Sequence, residues 1–216
     1  MGRAARRGTR RVSLPTLTLT NLADGSITPV RVLTSLSAAQ VEAVEDVWLP
    51  FLLAAWQSRL QAGVRASALP EHKHWQWSQK ARLYAGKSGY QFFALEAGVA
   101  TQGLMLVNNI SQCRLSNQAG DTMVYVDYVA TAPWNLRSLS DTPRFRGVGK
   151  ALIEVAAGLS RDNGMNGRLG LHSLPQAEAF YRDVCGMTDL GEDPNEYDLR
   201  YFEMTEAQAA RFSSVP

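Results

Sequence analysis

The stretch Arg144-Phe145-Arg146-Gly147-Val148-Gly149-Lys150-Ala151-Leu152 constrains this chain more than any other. Val148, Ala151, Leu152, Val155, Ala156 and Leu159 recur at i, i+3, i+4, i+7, i+8 and i+11, which is one face of an amphipathic helix. Upstream, Thr122 to Ala130 is a β-prone run followed by Ala132-Pro133. The order is therefore strand, loop, glycine turn, helix. A helix start offers bare backbone N–H groups to an anion, and glycine lets a phosphate come close to them. Arg144, Arg146 and Lys150 add positive charge around it. We expect a pyrophosphate cradle here.

Two familiar owners of such a cradle fail on spacing. A Walker loop needs G-x-x-x-x-G-K-[ST], but Ala151 follows Lys150 and the first glycine is missing. A dinucleotide fingerprint needs G-x-G-x-x-G, and the third glycine position is Leu152. What remains is R-x-x-G-x-G at a helix start, met by Arg144, Gly147 and Gly149.

Charge narrows the partners. Residues 1–12 hold five of the 22 basic residues and no acid, so the remainder, with 20 acidic residues, is mildly acidic. That excludes a nucleic-acid binder built on the whole surface and leaves only the Arg-rich tail to touch a polyanion. No apolar run approaches 18 residues, so no membrane span is expected. Cys113 and Cys185 give neither a disulfide framework nor metal-ligand spacing, which points to a reduced, cytoplasmic setting. Cys185 reads as a packing residue. His72 and His74 lack a third ligand nearby, so no metal is expected. We expect a basic tail over 1–12 and one α/β domain over 13–216.

Along the chain, Thr16 to Leu22 and Ile27 to Leu33 read as a hairpin around Asp24-Gly25, with Pro29 marking an edge. Ser37 and Gln40 form a capping box for a first helix, with a kink or two short helices expected at Pro50. A helix is expected over Trp75–Tyr84. Tyr90–Leu95 and Val99–Val107 form a second hairpin, and 108–121 is loop-like. Met123–Ala130 is a central strand bearing one charge, Asp127. The glycine-turn helix ends near Asn163-Gly164. A short strand, Gly167–His172, and a helix, Pro175–Val184, follow. A strand over Tyr197–Met204 and a short helix close the chain.

The pair of segments Arg144-x-x-Gly147-x-Gly149-x-Ala151-Leu152 and Ala177-x-x-Phe180-Tyr181-x-x-x-Cys185-Gly186-Met187 resembles the GNAT superfamily of acyl-CoA-dependent N-acyltransferases. The likeness runs from about Ser37 to Met204, with the CoA-binding core at about 122–190, and the element order agrees. It implies an α/β fold with one mixed, mostly antiparallel sheet flanked by helices. It implies acetyl-CoA as co-substrate and a primary amine as acceptor, joined by direct attack in a ternary complex. Pantetheine would pair along Val129, Ala130 and Thr131. The pyrophosphate would lie on Arg144, Phe145, Arg146, Gly147, Val148, Gly149 and Lys150. Tyr181 matches the family's acid for the leaving thiolate. Asp127 lies where many members carry an acidic residue and is a candidate base; His172, at the end of the next strand, is another by its ordinary pKa. The chain departs from the pattern in three places. About eight extra residues separate Pro133 from Arg144, Leu174 stands where an asparagine is common, and Thr131 replaces a valine. The acceptor is not legible, a homodimer is compatible with the reading, and a non-catalytic acyl-CoA-binding module on the same fold is the alternative.

Overall fold

Apolar side chains alternate along the middle strands, and the fold follows from covering both faces that this creates. The computed structural model describes residues 17–214, without the side chains of Lys73, His74 and Ser214. The Arg-rich tail and Thr16 lie outside the described residues. In chain order the strands are β1 (Thr18–Asn21), β2 (Ile27–Pro29), β3 (Arg31–Thr34), β4 (Tyr90–Ala97), β5 (Ala100–Gln112), β6 (Thr122–Thr131), β7 (Phe145–Arg146), β8 (Leu169–Ser173), β9 (Thr188–Asp193) and β10 (Leu199–Met204). The α-helices are α1 (Ala38–Gln61), α2 (Trp77–Tyr84), α3 (Val148–Asp162) and α4 (Glu206–Ser214).

Seven strands form the main sheet in the order β3-β4-β5-β6-β8-β10-β9. Every pair in it is antiparallel except β6 with β8. Phe93, Leu95, Met105, Val107, Val124 and Val126 point to the face covered by α3 and α4. Phe92, Ala94, Leu104, Leu106 and Ala130 point to the opposite face, covered by Val41 and Trp48 of α1 and Trp77 and Ala81 of α2. This is the mixed, mostly antiparallel α/β architecture expected from the motifs.

Several elements differ from the expectations. The N-terminal hairpin forms, with Leu19 opposite Thr28, but Ile27–Leu33 splits at Val30. Its first part stays in a small sheet β2-β1-β7, while its second becomes the edge of the main sheet. The capping box of Ser37 and Gln40 is present, and α1 runs unbroken through Pro50. Pro50 and Asp46 are both exposed, so water can satisfy the Asp46 carbonyl that loses its N–H partner. Helix α2 starts at Trp77, preceded by a 3₁₀ turn over Glu71–His74. It has no cap of its own; the Glu45 carboxylate of α1 accepts from the Trp77 and Ser78 N–H groups instead. Strand β5 continues five residues past Val107, into what reads as a loop. The segment Pro175–Val184 is a 3₁₀ turn, Pro175–Ala177, leading into a π-helical turn, Phe180–Val184, in which Cys185 N–H bonds to Phe180 C=O at 3.0 Å.

Two register features shape the centre. Leu106 faces Tyr128 and Val107 faces Val126, so Asp127 is an extra residue, a β-bulge on β6. The parallel pairing of β6 with β8 covers only Val124↔Leu169 and Tyr125↔Gly170. Beyond it the strands part, and a wedge opens between Val126–Thr131 and Leu171–Ser173. Helix α3 lies across β5 at Gly103, where a Cβ would come within 2.8 Å of Leu152 Cδ1 and 2.9 Å of Val148 Cγ1. Gly103→Ala is expected to destabilise the chain by about 1–3 kcal/mol through overpacking. Urea unfolding measures this, and an unchanged midpoint would show that α3 can lift away without cost.

Candidate active site

The glycine turn is held from both sides before any ligand arrives. Phe145 pairs with Asn21 and Arg146 with Thr20, and the Leu22 N–H donates to the Arg144 carbonyl at 2.9 Å. Gly147 follows with φ 96°, a left-handed conformation that a side chain would strain. The first helical hydrogen bond of α3 runs from Ala151 N–H to Gly147 C=O, and no side chain caps the N–H groups ahead of it. A hollow of about 260 Å³ lies against them, lined by Leu22, Thr131, Asn135, Arg137, Phe145 and Gly147–Gly149 among others. Gly149 is demanded by protein as much as by any ligand: a Cβ there would sit 3.2 Å from the Phe180 ring.

The extra residues after Pro133 wall this hollow. Gln102, the odd residue where β5 bulges against β4, is buried and holds them. Its Oε1 accepts from Trp134 Nε1 and Asn135 Nδ2, both at 2.9 Å, and its Nε2 donates to the Ala97 and Ala100 carbonyls. Asn135 Oδ1 in turn accepts from Phe145 N–H at 2.9 Å. Trp134 is core, edge-on to Trp48 and Phe51, not a surface for a substrate. The Arg144 guanidinium stacks 4.8 Å from its ring, and Lys150 lies 3.8 Å from Glu154. Neither lines the hollow; Arg146 does, and so does Arg137, which the sequence did not single out.

The hollow adjoins a cavity of about 1060 Å³ that fills the wedge, sharing Thr131, Leu136 and Gly149 with it. Val129, Ala130 and Thr131 line the cavity along the β6 edge that β8 has left. Tyr181, Asp127 and His172 line it too. The π turn carries Tyr181 inward to 6% exposure. Burial raises its pKa well above the usual phenol value, and among the described residues its hydroxyl makes no hydrogen bond. Cys185, on the same turn, is 2% exposed and its thiol is pushed up to about 12 by burial, as befits packing and not a nucleophile.

Asp127 shares the α1–α2 side of the sheet with Tyr125, and the bulge brings Tyr128 to the same side. Its Oδ2 accepts from Asn108 Nδ2 at 3.0 Å, and burial raises its pKa to about 6 against that stabilising bond. His172 is not an open base: Nδ1 meets the Tyr125 hydroxyl, and Nε2 lies 3.1 Å from Asp193 Oδ2. Burial lowers its pKa. The Arg114 guanidinium bonds the same Asp193 carboxylate and holds it far below the usual range. Tyr125, Arg114, Asn108 and Asp193 were missed from sequence. Tyr125 had a signal, since it sits two residues before Asp127 in an alternating strand; Asp193 lies on a strand whose sequence, Thr-Asp-Leu-Gly-Glu-Asp, has no strand pattern. Trp75 stands edge-on to Tyr128 at 5.1 Å on the cavity wall, whereas Trp77 is core. The His74 side chain lies outside the description. Among the described residues no group of three or more His, Cys, Asp or Glu side chains could hold a metal, and no helix is long and apolar enough to cross a membrane.

The Asp127 shift has a consequence for stability. A carboxyl whose folded pKa is raised contributes stability that is present below its unfolded pKa and lost as pH rises through its folded one. Asp127→Asn should therefore match the parent near pH 4 and exceed it by roughly 1–3 kcal/mol above about pH 7. Urea unfolding at the two pH values checks this; a difference independent of pH would mean that Asp127 is well solvated.

No family model and no curated protein sequence matches the chain. Solved structures do. PaiA N-acetyltransferase from Thermoplasma acidophilum in complex with coenzyme A aligns with a TM-score of 0.50 at 11% identity, covering 82% of this chain and 98% of that one. An acetyltransferase assigned to the GNAT family, from Desulfovibrio desulfuricans, aligns with a TM-score of 0.51 at 12% identity, covering 82% and 99%. At such identities the likeness is one of architecture, and it agrees with the motifs: the chain has the GNAT acyltransferase fold.

Proposed function

We propose that the protein transfers an acetyl or other small acyl group from acyl-CoA to a primary amine by direct attack, in the cytoplasm. One observation carries this reading. Two adjoining cavities run from the uncapped N-terminus of α3, along the unpaired edge of β6, to the buried Tyr181 side chain that lines the second of them. A long thioester with a phosphate end fits that path, and a shorter anion would leave most of it unused.

The residues present fit the co-substrate. The N–H groups of Val148 and Gly149 would take the pyrophosphate, with Arg137 and Arg146 beside it. The Val129–Thr131 edge would pair with the amide groups of pantetheine, which brings the thioester toward Tyr181. On the other side of β6, Asp127 is ionised at neutral pH yet close enough in pKa to accept a proton from an entering ammonium group. Tyr181, kept protonated by burial, gives its proton to the sulfur as the C–S bond breaks. The extra residues after Pro133 serve the phosphate side of the site, not the acceptor.

A panel of benzylamine, tyramine, 1,4-diaminobutane and lysine methyl ester with acetyl-CoA, read by release of free thiol, tests the reading. Tyr181→Phe should lower kcat on the order of 100-fold while coenzyme A affinity holds within about threefold. Binding of coenzyme A with no thiol release for any amine would favour a non-catalytic acyl-CoA-binding module instead. Failure to bind coenzyme A would remove both.

A further inference from the structure

A primary ammonium group loses two protons in becoming an amide nitrogen, and the departing sulfur takes back one. Asp127 accounts for the first of the two losses, and the second needs its own acceptor. Resting on the acyl-transfer reading above, we propose that Tyr125, His172 and Asp193 form a proton relay that receives this second proton at the Tyr125 hydroxyl.

The geometry assigns a direction to every bond in the relay. Asp193 is anionic and accepts from Arg114, so it can only accept from His172 Nε2 as well. The imidazole proton therefore sits on Nε2, and Nδ1 presents a lone pair. The Tyr125 hydroxyl, whose pKa burial raises, donates to that lone pair. Both partners are neutral in this arrangement, since burial lowers the His172 pKa. The chain is fixed from outside: the His172 ring lies 4.8 Å from Tyr201, and Arg114 stacks 4.2 Å over the same Tyr201 ring. The His172 and Asp193 side chains are only 6% and 8% exposed, so water does not compete for the imidazole. Tyr125, His172 and Arg114 all line the cavity that holds Asp127 and Tyr181.

Position fits the role. Tyr125 is the last β6 residue paired with β8 before the wedge, and Asp127 is two residues further on the same face. Asn108 faces Tyr125 across the sheet and bonds Asp127, so all three lie around one part of the cavity. Asp127 bonds Asn108 on the β5 side of β6 and the Tyr125 hydroxyl bonds His172 on the β8 side, so an amine nitrogen held between them in the cavity would have both as neighbours. The balance closes. As the N–C bond forms, nitrogen's second proton passes to Tyr125 Oη while the Tyr125 proton passes to His172 Nδ1. As the C–S bond breaks, Tyr181 protonates sulfur. Asp127, and His172 back through the Tyr125 hydroxyl, then return two protons to solvent in the cavity, and Tyr181 regains one. The imidazolium forms against Asp193, where it is stabilised. Tyr125 is catalytic in this account; His172, Asp193 and Arg114 act through it.

The charged and titratable groups facing His172 are Tyr125 on β6, Tyr201 on β10, Arg114 after β5, and Asp193 and Glu196 at the β9–β10 connection. The full chain, labelled with ¹⁵N-histidine, gives the tautomer by NMR without any variant; Nε2 should carry the proton at neutral pH. Acetyl-CoA with the fastest amine of the panel gives kcat as a function of D₂O fraction, which should bow for the parent because two protons move together. Tyr125→Phe should lower kcat at least about tenfold, make that plot linear, and leave coenzyme A affinity within about twofold; Asp193→Asn should lower kcat similarly. A proton on Nδ1, a linear plot for the parent, or a Tyr125→Phe variant with parental kcat overturns the relay. If the parent releases no thiol with any amine, acyl transfer itself falls and the relay with it. Parental turnover left intact by Tyr125→Phe removes the relay alone.

Discussion

Backbone pairing between β6 and β8 ends after two residue pairs, and the gap that follows is the physical fact on which the site depends. In a parallel pair each strand normally satisfies the other's N–H and C=O groups. Here the edge from Val126 to Thr131 turns toward a cavity instead. The loss is tolerable because β5 pairs with the other edge of β6 from Thr122 to Thr131, interrupted only by two irregularities, and the two helical layers grip the sheet from both faces. The bulge at Asp127 belongs to the same design. It adds one residue just beyond where pairing with β8 stops, so that Tyr128 joins Tyr125 and Asp127 on the α1–α2 face.

The α3 end of the cavity is held by parts that have little chemistry of their own. The N-terminal hairpin buries Leu17 and Leu19 in the core and pairs with β7, and through that pairing fixes the entry into Gly147. Gln102 ties the residues after Pro133 to the β4–β5 turn with four hydrogen bonds, and Asn135 passes that restraint to Phe145. A buried amide so fully satisfied rigidifies its surroundings. The hollow beside α3 is thus preformed, which spares a ligand the cost of ordering it.

Much of this was legible in the sequence, for identifiable reasons. Helix α3 packs nearly all its apolar residues against one sheet, so its period showed. The β6 run is buried on both faces and read as a central strand. The glycine turn and the Phe180-Tyr181 segment named the fold because their local backbone demands are strict. What stayed hidden depends on partners distant in sequence. Strand β7 is two residues long and exists only because β1 is beside it. Strand β9 is polar and held by β10. The bulge at Asp127 is a matter of register between strands, and the π turn at Tyr181 reflects packing of Phe180 on Gly149. The cations beside the hollow are Arg146 and Arg137, not Arg144, which stacks on Trp134 instead. His172 looked like a free base until Asp193, brought in by a strand without a pattern, took its second nitrogen.

The central claim is that one ligand spans the α3 N-terminus and the Tyr181 hydroxyl through the wedge. A crystal structure of the full chain with acetyl-CoA tests it most directly. Phosphate oxygens should lie within about 2.7–3.2 Å of the Val148 and Gly149 nitrogens, pantetheine amides should bond the Val129–Thr131 edge, and the sulfur should face Tyr181. Acetyl-CoA bound elsewhere, or with its thioester turned away from Tyr181, would contradict the account.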